Sequence, residues 1–206
     1  MKKPIRQYAL FIATLLSVFL GLSSLSFSSE TEDLDLLIFN FPVVGYTEEQ
    51  IQSPVAQDAI KNILPQATRA WGTPELSSGF LLFAGTTPMN RDTILSNTRE
   101  ETRSQLRDFA KNLEEQMNLA EGFKATYRLK EVGPIFVIEG EVFHQPSRLV
   151  MSEYKYFYNP DYRLDILVRM NESAKPEFWP VVKTGLASLE KKLVAKYPKG
   201  IRFKGE

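Results

Sequence analysis

The chain has 206 residues with equal numbers of basic and acidic side chains, 25 of each, and 43% of its residues are hydrophobic, as in an ordinary globular domain. Omitting Lys2, Lys3 and Arg6 with the N-terminal segment leaves 22 basic and 25 acidic residues. Such a mildly acidic domain is not expected to have a nucleic-acid partner. The chain contains no cysteine, which excludes disulfides, thiolate metal sites and a cysteine nucleophile.

Residues 1–28 have the pattern of a secretory signal peptide. Three basic residues precede an apolar stretch at residues 8–22, and the small residues Ser26 and Ser28 suit cleavage before Ser29. The alternative is an uncleaved anchor in the cytoplasmic membrane, although a full span needs about 20 apolar residues. Both interpretations place the rest of the chain in the periplasm or an equivalent space, because basic flanks stay inside. In the anchored form, the N-terminus is the expected membrane contact.

Residues 29–41 are predicted to form a solvated acidic linker that ends in a candidate first strand, and residues 42–206 are predicted to form one α+β domain. Its early part has helical spacing over residues 50–64, followed by a loop that contains Trp71 and Gly72. The continuously apolar residues 79–84 predict a short buried strand.

Two long helices are predicted around a sheet. The central helix opens at residues 87–88 and ends at Gly122, with apolar residues that step by three and four. The C-terminal helix covers residues 173–197, with Ser173 as its cap and Pro176 in its first turn. The apolar stripe of this helix is expected to cover one face of the sheet.

Between these helices, residues 122–172 predict an antiparallel meander of four strands. Hydrophobic and polar residues alternate in each strand, and the connections contain Gly133-Pro134, Pro146 and Pro160, which favour tight turns. Short turns between consecutive strands imply antiparallel neighbours. The predicted fold class is therefore α+β, with the meander packed against the long central helix and the C-terminal helix.

Residues 79–84, 135–143, 154–158 and 164–168 and the helix after Pro176 follow a recognisable pattern. In this order of elements the chain resembles the PsbP-like superfamily, in particular the bacterial DcrB-related envelope proteins. The resemblance implies an antiparallel sheet packed between helices, and a non-enzymatic accessory or binding protein of a photosynthetic or envelope membrane. A helix and proline-rich loops before residue 77 replace the usual opening hairpin of that pattern.

Catalytic patterns are sparse. His144 is the only histidine, so neither a catalytic triad nor a two-histidine metal site can be assembled. Glu139 and Glu141 lie about 7 Å apart on one strand face and suit a hydrolytic carboxylate pair, whereas a simple solvent-facing role is favoured. Ser188 and Lys191 match the spacing of serine acyl-enzymes but lie in a helix with a buried stripe. No catalytic residue, metal or cofactor is therefore predicted.

The candidate binding residues lie on the third and fourth strands of the meander. Tyr154, Tyr156 and Tyr158 share one face of the third strand, with Arg163 or Arg169 on the next. If that face meets solvent, these residues form a protein-binding surface, since tyrosine and arginine are enriched at interfaces. The favoured alternative places the three rings in the core, with their hydroxyls at its rim, because the opposite face of the strand is more polar.

Taken together, the sequence predicts a non-enzymatic accessory or binding protein that acts by protein contact at the outer side of the cytoplasmic membrane. Its expected partner is an envelope or membrane-associated protein. Two alternatives are a membrane-anchored assembly factor of a secretion or envelope complex, and an envelope hydrolase.

Overall fold

A computed structural model describes Asp33, Leu36, residues 66–72 and residues 80–206. Its sheet has six antiparallel strands in the order β1-β2-β6-β5-β4-β3. The strands are β1 (Ala67–Gly72), β2 (Phe80–Pro88), β3 (Phe123–Val132), β4 (Ile135–His144), β5 (Leu149–Phe157) and β6 (Tyr162–Asn171). Strands β3 to β6 follow one another in the sheet as they do in the chain, and β2 adds to the far side of β6.

The described helices are α1 (Arg91–Ser96), α2 (Arg99–Leu119) and α3 (Lys175–Lys196), with a 3-10 turn at Glu172–Ala174 before α3. The side chain of Asn90 accepts the N–H of Thr93 and caps α1, while Thr98 and Glu101 form a reciprocal capping box at α2. Caps of this kind satisfy backbone donors that a first helical turn leaves free.

The sheet separates two cores because successive side chains of a strand point to opposite faces. Helix α3 covers one face, where four leucine and valine side chains of its stripe are buried against β2, β5 and β6. Helix α2 covers β3 and β4 on the other face, where Leu106 and Ala110 pack with Phe136 and Ile138. Both faces of the sheet are therefore buried at its centre.

The C-terminal tail crosses from the α3 face to the α2 face. Ile201 and Phe203 are buried in the second core, and the N–H of Lys204 donates to the carbonyl of Asn97 at 2.9 Å. Gly200 makes this crossing at φ 57°, where an added Cβ would lie 2.4 Å from the carbonyl oxygen of Pro134. The tail is thus an integral part of the fold.

The prediction of an α+β fold with an antiparallel sheet is confirmed. Three boundaries are corrected. Residues 87–88 belong to β2, and two capped helices follow in place of one, because Asn90 and Thr98 each start a helix. Trp71 and Gly72 belong to β1, which had been predicted as a loop. Ser173 lies in the 3-10 turn and does not cap α3. The predicted signal segment 1–28 and the helix 50–64 lie outside the described residues.

Candidate functional site

A solvent-open groove, here named the α3–β3 groove, lies between α3 and the strands β3 and β4. It consists of two adjoining cavities of about 440 Å³ and 330 Å³ that share Thr126 and Glu141. From Lys124 to Lys130 the β3 wall is about 20 Å long, at roughly 3.3 Å per residue. The polar and aromatic side chains of its lining include Lys124, Thr126, Arg128, Lys130, Glu139, Glu141, Tyr154, Trp179, Lys183 and Glu190, with Glu172 and Lys175 at one end.

The alternation of β3 and β4 places polar side chains in this groove. Arg128 is directly opposite Glu139 in the sheet, and Thr126 is opposite Glu141, so both pairs point to the face that α3 covers. On that face α3 packs against residues of β2, β5 and β6, whereas β3 is an edge strand of the described sheet. The outer part of the α3 face is therefore wet and charged, while its centre is apolar.

One end of the groove is closed by a three-element ion bridge. The ammonium of Lys130 donates to Glu139 at 3.2 Å and to Glu190 at 3.0 Å, and Arg128 donates to Glu139 at 2.8 Å. Burial opposes the charge on Lys130, but the hydrogen bonds to Glu190 and Glu139 outweigh it and raise its pKa. These carboxylates are thus neutralised in place, and the bridge joins β3, β4 and α3.

The remainder of the groove carries unpaired charge. Lys175 and Lys183 flank Trp179 on α3, with their ammonium nitrogens 5.8 Å and 5.6 Å from the indole ring. Neither of these lysines, nor Lys124 across the groove, forms an ion pair with a described residue. Glu141 is exposed and also lacks such a pair. Among the described residues that line the groove, three ammonium groups without an ion pair therefore oppose one such carboxylate, since Glu172 is paired with Arg148.

The floor of the groove includes Tyr154, which is only 9% exposed. Its hydroxyl makes no hydrogen bond to any described residue. Burial, together with the negative charge of Glu139 and Glu141, raises the pKa of Tyr154, so the hydroxyl keeps its proton and remains a donor. Tyr156 is stacked beside it, with ring centroids 6.4 Å apart, and its buried hydroxyl also lacks a partner among the residues that the structure describes.

The structure does not bring the five predicted binding residues together. Tyr154, Tyr156 and Tyr158 are buried beneath α3, which agrees with the core interpretation of the rings, but the hydroxyl of Tyr156 is buried and does not lie at the rim of the core. Arg163 and Arg169 point to the opposite face of the sheet. Tyr156 is paired with Leu164 of β6, so these two side chains point toward α3, and both arginines lie an odd number of positions from Leu164 in that strand. Among the five, Tyr154 alone lines the groove.

Arg163 has a different role, in a polar cluster on the α2 face. It donates to Asp165 at 2.9 Å, and Lys155 and the hydroxyl of Thr87 also approach this buried carboxylate. Burial alone would raise the pKa of Asp165, but the charges of Lys155 and Arg163 and the hydrogen bonds outweigh that cost and lower it. The guanidinium also lies 5.7 Å from the ring of Phe109.

The residues that matched catalytic patterns in the sequence lie on β4 and on α3. His144 is half-buried as the last residue of β4, and not in a turn, with Nδ1 2.6 Å from the hydroxyl of Ser147. Glu139 and Glu141 both line the groove, but Glu139 is held by two cations. Ser188 is half-buried in α3, and its hydroxyl forms no hydrogen bond with Lys191 or any other described residue.

A second polar cluster, here named the Asp33 cluster, joins the N-terminal segment to the domain. The fully buried carboxylate of Asp33 accepts hydrogen bonds from the hydroxyls of Tyr158 at 2.8 Å, Tyr162 at 2.6 Å and Tyr197 at 2.8 Å. Lys196 adds an ion pair at 2.7 Å. The prediction of a solvated linker is therefore wrong at Asp33, because four donors from the domain replace water around its charge.

The free edge of β3 is partly covered by α2. The side-chain amide of Asn118 both donates to the carbonyl and accepts from the N–H of Ala125, at 3.0 Å and 2.8 Å, and Glu114 accepts the N–H of Tyr127 at 2.7 Å. Covered edges resist pairing with a strand from another chain. The backbone of β3 is therefore less available at these positions for pairing with another strand.

Comparison of the sequence with models of known protein families gives no match, and comparison with curated proteins gives none either. In the described part of the chain, none of the helices is both long enough and apolar enough to cross a membrane. The same residues include no group of three or more histidine, aspartate or glutamate side chains placed to hold a metal ion.

Proposed function

We propose that this chain is an exported, non-enzymatic binding protein that acts by contact with another protein, and that the α3–β3 groove is its contact site. One observation carries the proposal. The groove holds donors that no described residue satisfies, namely the hydroxyl of Tyr154 and the ammonium groups of Lys124, Lys175 and Lys183. Polar groups placed in this way are available to a partner.

The character of the groove walls supports the same proposal. Trp179 and Tyr154 supply aromatic surface with a polar tip, and such side chains dominate the energetics of many protein interfaces. The export part of the proposal rests on the pattern of residues 1–28. A partner in the envelope follows from that location, and the resemblance to PsbP-like proteins supports an accessory role.

The groove favours binding over hydrolysis. A carboxylate pair in a glycosidase needs one group free to donate a proton and one free to attack or activate water. Glu139 is instead bound to Arg128 and Lys130, which leaves Glu141 without a free carboxylate partner on β4. The same ion pairs give Glu139 a structural role that needs no substrate.

Chemical cross-linking in the native cells tests the proposal. A short-range reagent is applied to cells that express the native chain, a Trp179→Ala variant or a Leu119→Ala variant, and the products are identified by mass spectrometry. Leu119 is an exposed side chain of α2 and serves as the control outside the groove. Circular dichroism first establishes that both variants are folded.

The expected result is one abundant envelope protein cross-linked to the native chain and to Leu119→Ala, with at least tenfold less product for Trp179→Ala. The absence of any partner, or equal yields for both variants, would refute the groove as a contact site. Cell fractionation and N-terminal sequencing of the purified protein test export, and a cytosolic protein that retains Met1 would contradict it.

A further inference from the structure

We infer that the α3–β3 groove binds an acidic segment of a partner protein in extended conformation, an inference that rests on the proposed function. The first reason is charge. Lys175 and Lys183 stand on the α3 wall and Lys124 on the β3 wall, all without an ion pair to a described residue, while Glu141 is the one carboxylate of the groove in the same state. Carboxylates of a bound segment complement this excess of positive charge.

The second reason is the position of the charged groups within the groove. The carboxylates deepest in the groove, Glu139 and Glu190, are already neutralised by Lys130 and Arg128 and are only 14% and 15% exposed. They therefore contribute little repulsion toward an anionic segment. The free ammonium groups lie at the rim, where a side-chain carboxylate is able to reach them without being fully desolvated.

The shape of the groove favours an extended segment. Its β3 wall, from Lys124 to Lys130, is about 20 Å long, which matches roughly six residues of extended chain at about 3.3 Å each. A helix of six residues spans only about 9 Å and is about 10 Å wide. An extended chain therefore uses the length of this groove better than a helix does.

The floor offers a contact for the backbone of such a segment. The hydroxyl of Tyr154 stays protonated and has no hydrogen-bond partner among the described residues, so it is able to donate to a peptide carbonyl. The bridge from Lys130 to Glu190 closes the groove beyond it. A bound segment thus places its backbone over Tyr154 and its carboxylates toward the rim lysines.

Fluorescence anisotropy of labelled peptides tests the inference with purified protein. The probes are hexaglutamate, hexaglutamine and hexalysine, and vesicles that contain phosphatidylglycerol are measured by co-sedimentation. Two double variants with equal changes in net charge are compared with the native chain. One is Lys175→Glu with Lys183→Glu, and the control is Lys191→Glu with Lys199→Glu, two exposed lysines outside the groove.

The expected result is binding of hexaglutamate at least tenfold tighter than hexaglutamine, weakened at least tenfold by the groove variant and less than threefold by the control, and reduced by added salt. The inference is overturned if hexaglutamate binds no better than hexaglutamine, if hexalysine is preferred, or if both double variants lose binding equally. Binding to the vesicles without binding to hexaglutamate also overturns it, in favour of a membrane surface.

The two proposals fail in different ways. If the cellular partner still depends on Trp179 while hexaglutamate does not bind, the groove is a contact site for a segment of another chemistry. If no cellular partner depends on Trp179, the proposed function itself is refuted, whatever the peptides do.

Discussion

The Asp33 cluster and the α3–β3 groove are both polar, and both lie against α3, yet they differ in how their polar groups are satisfied. In the Asp33 cluster one buried carboxylate accepts three tyrosine hydroxyls and an ammonium group, all between 2.6 Å and 2.8 Å. In the groove the hydroxyl of Tyr154 and three ammonium groups have no hydrogen-bonding or ionic partner among the described residues.

This difference distinguishes polar groups that stabilise the fold from polar groups that are available for binding. A closed polar network stabilises the fold, because removing one member leaves the others buried without a partner. An open set of donors contributes little to folding, because water satisfies its members in the free protein. The contrast therefore predicts large stability effects in the cluster and small ones in the groove.

The largest loss of stability is expected when the buried tyrosines ionise, because Tyr158 belongs to the Asp33 cluster and Tyr154 to the groove. Burial, and then nearby negative charge, raises the pKa of Tyr154, Tyr156 and Tyr158 above the value of about 10 in an unfolded chain. The folded state then retains protons that the unfolded state releases. Stability is therefore complete below pH 10 and falls above it, by up to about 1.4 kcal/mol per pH unit for each tyrosine.

Urea unfolding at a series of pH values, with tyrosine ionisation followed by ultraviolet absorbance, measures this effect. Ionisation of these tyrosines is expected to coincide with unfolding. Tyrosines that ionise fully near pH 10 while the chain stays folded would contradict the burial of their hydroxyls.

The next effect in size is expected at Asp33. Changing Asp33→Asn removes the charge that Lys196 pairs with and leaves the hydroxyls of Tyr158, Tyr162 and Tyr197 with a weaker acceptor. Because Lys196 is partly exposed, most of the loss comes from the three tyrosine hydroxyls, and we expect about 2–4 kcal/mol, since a hydrogen bond to a charged group contributes about 1.5–3 kcal/mol. Urea denaturation compares this variant with the native chain.

The control is Asp108→Asn, an exposed carboxylate of α2, which is expected to change stability by less than about 0.5 kcal/mol. Equal stabilities for the two variants would show that the Asp33 cluster contributes nothing to the fold.

A loss of stability of intermediate size is expected from a substitution at Gly140 that disturbs packing alone. Gly140 lies on the α2 face opposite Tyr127, and an added Cβ would be 2.3 Å from the tyrosine ring. Gly140→Ala therefore forces the ring to move and is expected to cost about 1–3 kcal/mol, as overpacking does. Thermal and urea unfolding measure the loss.

The double variant Gly140→Ala with Tyr127→Ala removes the clash. Its loss is expected to be smaller than the sum of the two single losses, since the two sites are in contact. Additive losses would mean that the ring does not restrict residue 140.

The smallest stability effect is expected in the groove. Lys183→Gln removes a free ammonium group and is expected to change the free energy of unfolding by less than about 0.5 kcal/mol. The same substitution is expected to weaken capture of the partner severalfold. A loss of stability comparable to that of Asp33→Asn would show that Lys183 is a structural residue and would remove the contrast between the two regions.

The sheet could be predicted from the sequence because its signals are local. Alternation over residues 122–172 and glycine or proline at each turn indicate antiparallel neighbours, and the cores follow from the two apolar stripes. Strand β1 was missed because Gly72 and the Thr-Pro that follows are typical of a loop. Its pairing with β2 is a tertiary effect that local propensity does not report.

The groove could be predicted only in part. The spacing of Lys175, Trp179 and Lys183 by four residues places them on one side of a predicted helix, a signal that was readable from the sequence. The pairing of Arg128 with Glu139 requires the register of β3 on β4. The Asp33 cluster joins residues more than 120 positions apart, and no periodicity indicates such a contact.

Site-specific photo-cross-linking tests most directly whether the α3–β3 groove is where a partner binds. A photo-reactive amino acid replaces Thr126, an exposed residue of the groove, or Ser104, an exposed residue of α2 on the other face of the sheet. Cells that express each variant are irradiated, and the adducts are identified. A partner captured strongly from position 126 and weakly from position 104 is the predicted result. Capture from position 104 alone, or from neither position, would contradict the assignment of the groove.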